Sequence, residues 1–135
     1  MCLFLQYKFQ DDRIHVQKGE VNYMKLLIIV LNKLEVFDKL MEEFGENKIS
    51  GATIIDSMGM MHIFSDNENM DFFGSLRKVL NPEHKENKTI FMVVDEKKIP
   101  LISRILNNVT GGLNKPDTGI LFTVPVDYKE GLYEE

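Results

Sequence analysis

Met24-Lys-Leu-Leu-Ile-Ile-Val-Leu31 is an apolar run broken by a single lysine. It is the length of a strand and too short to cross a membrane. Its lack of alternation is the pattern of a central strand covered on both faces. Three other segments read as its neighbours. Gly51 to Ser57 carries Ala52, Ile54 and Ile55, and Thr89 to Val94 is β-branched and apolar. Ile120 to Val124 runs into Pro125, which has no N–H for a ladder and so marks a sheet edge. Between the strands, two segments have helical spacing. Leu34, Phe37, Leu40, Met41 and Phe44 share one face of a helix that Asn32 can cap and Gly45 can end. Leu101, Ile102, Ile105, Leu106 and Val109 do the same over Ile99 to Val109, with Pro100 in the first turn and Gly111 and Gly112 as the C-cap. The order is β-α-β, a long connection, then β-α-β. That predicts an α+β, ferredoxin-like βαββαβ fold, an antiparallel sheet with both helices on one face. The other face is then open and apolar, which in so small a domain predicts oligomerisation.

The 135 residues make one domain, with 44% hydrophobic and 27% charged side chains. A net charge of -5 argues against nucleic acid, whose binders carry a basic patch or stripe. The single cysteine, Cys2, excludes an intrachain disulfide and a cysteine-based zinc site, and fits a reducing, cytoplasmic setting. Residues 1 to 23 stand apart. Lys18-Gly19-Glu20 is what a purine-rich ribosome-binding sequence encodes when read in frame, a few codons ahead of Met24. One reading makes Met24 the natural start and 1 to 23 a mis-assigned extension of a domain spanning 24 to 135. The other makes them a short N-terminal hairpin. The mass of the native cellular product decides between them.

Thr110-Gly-Gly-Leu-Asn-Lys-Pro-Asp-Thr-Gly119 is the candidate binding loop. Glycine lets backbone N–H groups approach an anion, and Lys115, Asp117 and Thr118 stand beside the glycines. The competing reading is a plain helix-to-strand turn, in which Asp117 only shapes the bend. The segment 60 to 87 is polar and long, as functional loops are, with a short helix expected over Met70 to Leu80. His62 and His84 flank it, near Asp66, Glu68, Asp71 and Glu83, in no standard metal-ligand spacing. Met58, Met60, Met61 and Met70 form a local cluster. No serine has a nucleophile-elbow context and no Walker-type loop is present, so the chain reads as a non-enzyme.

Lys33-Leu-Glu-Val-Phe-Asp-Lys-Leu-Met-Glu-Glu-Phe-Gly45, Gly51-Ala-Thr-Ile-Ile-Asp-Ser-Met-Gly59, and Thr110-Gly111 with Gly119-Ile-Leu-Phe122 resemble, in order and spacing, the first helix, second strand and B-loop of the PII (nitrogen regulatory) signal-transduction family. The resemblance runs from Met24 to about Val126. It implies a homotrimer with clefts between subunits, where family members bind adenine nucleotides and often 2-oxoglutarate, then alter contacts with a transporter or enzyme. Thr53 matches a threonine near the adenine, Gly59 a glycine at the base of the mobile T-loop, and Gly111 and Gly119 the B-loop glycines. On this reading the ligand site is Thr53, Gly59, Gly111, Gly112, Lys115, Asp117, Thr118 and Gly119. Loop N–H groups hold the anion, Lys115 adds charge, and the 60 to 87 segment meets the protein partner. The departures are specific. The B-loop lysine is Ile120 here, and Lys115 is its nearest replacement. Met60, Met61 and His62 stand where the family has a glutamine. The C-terminal arginine pair is absent after Val126, and no tyrosine lies between Met60 and Asn87. With these departures the resemblance implies a PII-like protein whose nucleotide preference is changed or lost, and the expected ligand is a small anionic metabolite or a nucleotide, an adenine nucleotide being the family's own. The ion-tolerance proteins share the architecture and supply the alternative, a metal-responsive trimer using His62, His84 and nearby carboxylates. A structural or amino-acid-binding module is the remaining alternative.

Overall fold

The computed structural model describes residues 14–17, 20–60 and 86–132, with side chains placed from Tyr23 onward. The described elements are β1 (Ile14–Gln17), β2 (Glu20–Leu31), α1 (Phe37–Glu46), β3 (Thr53–Ser57), β4 (Asn87–Asp95), α2 (Ile99–Thr110) and β5 (Gly119–Pro125). β2 is central. It pairs antiparallel with β4 on one side, Ile29 opposite Ile90, and with β5, Ile29 opposite Leu121. β3 pairs with the far side of β4, Ile54 opposite Ile90. The order β3-β4-β2-β5 is the ferredoxin-like sheet expected from the element order. β2 starts earlier than its apolar run, because Glu20–Tyr23 pairs antiparallel with Ile14–Gln17.

Strand alternation divides β2 between two environments. Leu27, Ile29 and Leu31 are fully buried, together with Ile90, Met92 and Val94 of β4. Leu40 and Phe44 of α1 and Ile102, Ile105 and Leu106 of α2 close over them in one core. Leu26, Ile28 and Val30 point the other way and stay half-buried. Among the described residues the expected cover on both faces is absent: helices cover one face, and the other is the open apolar face that the element order implied.

The helix ends differ from their sequence reading in instructive ways. Leu34–Val36 is a 3-10 turn, and α1 follows it without a side-chain cap. Asn32 does not cap; its side-chain oxygen accepts from Asn87 Nδ2 at 3.4 Å. Gly45 does not end α1 either. Lys48 takes the left-handed conformation (φ 56°), Lys48 N–H bonds Gly45 O and Ile49 N–H bonds Phe44 O. Those two bonds make a Schellman motif, and the burial of both Ile49 and Phe44 supplies its apolar contact. α2 ends as expected, at Gly111 in the left-handed region (φ 85°), whose N–H bonds Asn107 O. Asp95 caps the turn before α2 by accepting from Lys97 N–H at 2.9 Å.

Candidate functional site

The 110–119 loop is tied internally at most of its donors. Gly111 N–H goes to Asn107 O, Gly112 N–H to Thr110 Oγ1 at 3.3 Å, Leu113 N–H to Asn107 Oδ1 at 3.0 Å, and Lys115 N–H to Gly112 O at 3.2 Å. Among the described residues, the N–H groups of Asn114, Asp117 and Thr118 have no acceptor, and the register that bonds Asn32 N–H to Thr118 O turns the Gly119 N–H away from β2. The N–H groups of Gly111 and Gly112 are taken by the loop's own acceptors, since a backbone donor has one proton to give. What remains for an anion is side-chain charge and the N–H groups at the Asp117–Gly119 end of the loop.

Each predicted site residue has a distinct place. Thr118 is buried. Its hydroxyl donates to Pro116 O at 3.3 Å, and its carbonyl accepts from Asn32 N–H and Lys33 N–H at 3.0 and 3.1 Å. It fastens the loop to the end of β2. Asp117 holds a left-handed turn (φ 57°), and both it and Lys115 are exposed. Gly119 is required by close packing, since a Cβ there would stand 2.6 Å from Val30 O. Gly59 meets no such constraint; a Cβ would be in ordinary contact, 3.7 Å from Asn87 Nδ2. Thr53 lies on β3, at the opposite edge of the sheet from the loop. From the strand spacing and rise, it is about 14 Å across and about 10 Å along from Gly119. One chain does not bring Thr53 to the loop. Ile120 is exposed on the open face opposite Val30.

Two features escape sequence reading. The first is Lys33. Its Nζ donates to Thr110 O at 3.1 Å, which brings a second ammonium to the loop from 77 residues away. The second is a polar row along the strand ends. Asn32 N–H bonds Thr118 O, Asn32 Oδ1 accepts from Asn87 Nδ2, and Ser57 Oγ donates to Asn87 Oδ1. Ser57 Oγ also meets Thr89 Oγ1 at 2.7 Å. The row joins the loop to Ser57 and Asn87, the two ends of the long connection. Its only sequence trace was the scatter of Asn and Ser at strand termini. Nearby, Lys88 pairs with Asp56 at 2.6 Å and lies 5.0 Å from the Phe37 ring centroid.

His62, His84, Asp66, Glu68, Asp71, Glu83, Met61, Met70 and the helix expected over Met70 to Leu80 lie outside the described residues. So do Phe72 and Phe73. Among the described residues no cluster of His, Cys, Asp and Glu could hold a metal ion, and no helix is long and apolar enough to cross a membrane. Met58 and Met60 are exposed.

By sequence, no protein-family model and no curated protein matches the chain. Solved structures do match it. A functionally unknown protein from Pediococcus pentosaceus superposes with a TM-score of 0.54 at 15% identity, over 81% of this chain and 97% of that one. Arabidopsis thaliana PII, bound to citrate, superposes with a TM-score of 0.51 at 14% identity, over 77% of this chain and 78% of that one. The fold is that of a PII protein. The likeness is one of fold, at 14–15% identity.

Proposed function

We propose that this chain is a PII-like regulatory protein. It assembles as a homotrimer through the open sheet face, senses a small anionic metabolite or nucleotide at the 111–119 loop, and signals to a protein partner through the 60–87 segment. The observation that carries the reading is the pairing of a PII-like fold with a glycine loop that carries Lys115, is reached by Lys33 and, among the described residues, has no ion-paired carboxylate. The fold supports regulation rather than catalysis. Assembly follows from Ile120, Phe122 and Val124, which are exposed beside the half-buried Leu26, Ile28 and Val30 and extend an apolar surface that water disfavours. A subunit boundary is also what could bring Thr53 of one chain toward the loop of another, since one chain keeps them apart. The plant PII protein of this fold is bound to citrate, which supports including polycarboxylates beside nucleotides among the candidate effectors. Ligand binding would shift the population of the 60–87 segment through the Thr118–Asn32–Asn87–Ser57 row.

The test is a thermal-shift and calorimetric panel of ATP, ADP, 2-oxoglutarate and citrate, with sedimentation velocity on the same samples. A trimer whose stability rises with at least one of these anions is the expected result. A monomer at all concentrations, or no response to any anion at concentrations far above cellular ones, overturns the reading.

A further inference from the structure

Two ammonium groups converge on the peptide that joins α2 to the glycine loop. Lys33 Nζ is hydrogen-bonded to Thr110 O. Lys115 Nζ lies 3.4 Å from the point where a Cβ on Gly111 would stand, over the next residue of the same peptide. Neither has a carboxylate within 4.0 Å among the described residues, where the ion pairs engage Lys25, Lys39 and Lys88 instead. Asp117 is two residues from Lys115 but makes no ion pair with it. Lys33 is half-buried, so its charge is less screened than a surface charge, and an ammonium with three donors has spent one of them on Thr110. The C-terminus of α2 offers roughly half a negative charge, which balances part of one lysine and leaves the second uncompensated. The N–H groups nearest the two ammonium groups, those of Gly111, Gly112, Leu113 and Lys115, are already bonded within the loop, so charge at this end comes from the side chains.

We infer that Lys33 and Lys115 form a two-point clamp for a ligand with two or more negative charges, a di- or tricarboxylate or a di- or triphosphate. The inference rests on the 111–119 loop being the effector site and adds the ligand's charge class and a residue. Lys33 is the fixed point, because it is half-buried and its Nζ is anchored to Thr110. Lys115 is the adaptable point, because it is exposed. The positive charge at this loop thus comes from the residue that follows β2 by two and from the loop itself.

The test is isothermal calorimetry on the full chain with citrate and with pyrophosphate, acetate serving as the singly charged control. Lys33→Gln, Lys115→Gln and Lys33→Arg are compared with the wild type, and thermal unfolding is followed in parallel. The expected result is binding of citrate, pyrophosphate or both, with a shallower salt dependence in each Gln variant. Each Lys→Gln change should weaken binding about tenfold, with most affinity kept by Lys33→Arg. Citrate alone or pyrophosphate alone identifies the carboxylate or the phosphate class. If Lys33→Gln lowers the melting temperature but leaves affinity unchanged, Lys33 is only a helix cap; the clamp is overturned while the effector-loop reading stands. Unchanged affinity in Lys115→Gln, a change at an exposed side chain, overturns it equally. Acetate binding as tightly as citrate overturns the charge class. Failure of the wild type to bind any anion removes both the clamp and the effector-loop reading.

Discussion

The two faces of the central sheet are built from the same kind of residue and end in opposite states. On the helix side, Leu27, Ile29 and Leu31 are fully buried under Leu40, Phe44, Ile102 and Leu106. On the other side, Leu26, Ile28 and Val30 are half-buried, flanked by Phe122 and Val124, which are more than 40% exposed. Cross-strand register keeps the sets apart: Ile28 faces Phe91 and Phe122, while Ile29 faces Ile90 and Leu121. Apolar character alone therefore says that a residue prefers burial; it does not say what buries it. One face is completed by the chain's own helices. The other is left open among the described residues, and that is where assembly is proposed.

The sharpest way to break this comparison is to truncate one residue on each face. Leu27→Ala should cost about 2–5 kcal/mol, the range for emptying a packed core position, read as a fall in the urea midpoint at any protein concentration. A loss below 1 kcal/mol would mean the helix face is not the true core. Gly119→Ala is expected to cost about 1–3 kcal/mol, because its Cβ would press on Val30 O and push β5 off β2. That variant cannot report on ligand contact by itself, since the glycine is already required by the sheet. Phe122→Asp should leave the monomer's fold nearly intact, within about 1 kcal/mol, because a half-exposed site leaves no cavity. It should instead lower the sedimenting mass toward that of one chain. An unchanged assembly would move the proposed interface off the open face. The smallest effect is expected at Lys39, on the outer surface of α1. Its ammonium pKa is raised by hydrogen bonding, to Glu42 first and Glu43 second. A raised lysine pKa contributes stability that is present below the unfolded-state value and is lost as pH rises through the folded value. Because the site is fully exposed, Lys39→Ala should shift the melting temperature within error at neutral pH and only slightly reduce the loss at strongly alkaline pH.

Much of the fold could be read directly because its signals are local. The helix period of Leu101 to Val109, the punctuation by Pro100 and Gly111, and the apolar run after Met24 each lie within a dozen residues. The misreadings occurred where a competing contact came from elsewhere in the chain. Asn32 looked like a helix cap, but Asn87, 55 residues away, takes its side chain. Gly45 looked like a helix end, yet Lys48 accepts the left-handed turn because Ile49 and Phe44 gain burial from it. Thr118, which the sequence places beside the loop glycines, is buried and fastens the loop to the end of β2 through Asn32 and Lys33.

By itself, then, the sequence determined the identity and order of the strands and helices, the presence of two apolar sheet faces, and the position of a glycine loop carrying Lys115. Those properties depend on side-chain periodicity and on the conformations glycine and proline permit. The tertiary structure alone decided which apolar face the helices cover and that the N–H groups of Gly111 and Gly112 are spent within the loop. It also decided that Thr53 stands at the far sheet edge and that Lys33 reaches Thr110 O beside the loop. Each of these depends on which distant groups meet once strands pair, and a donor or a charge has no fixed role until its partner, many residues away, has been placed beside it.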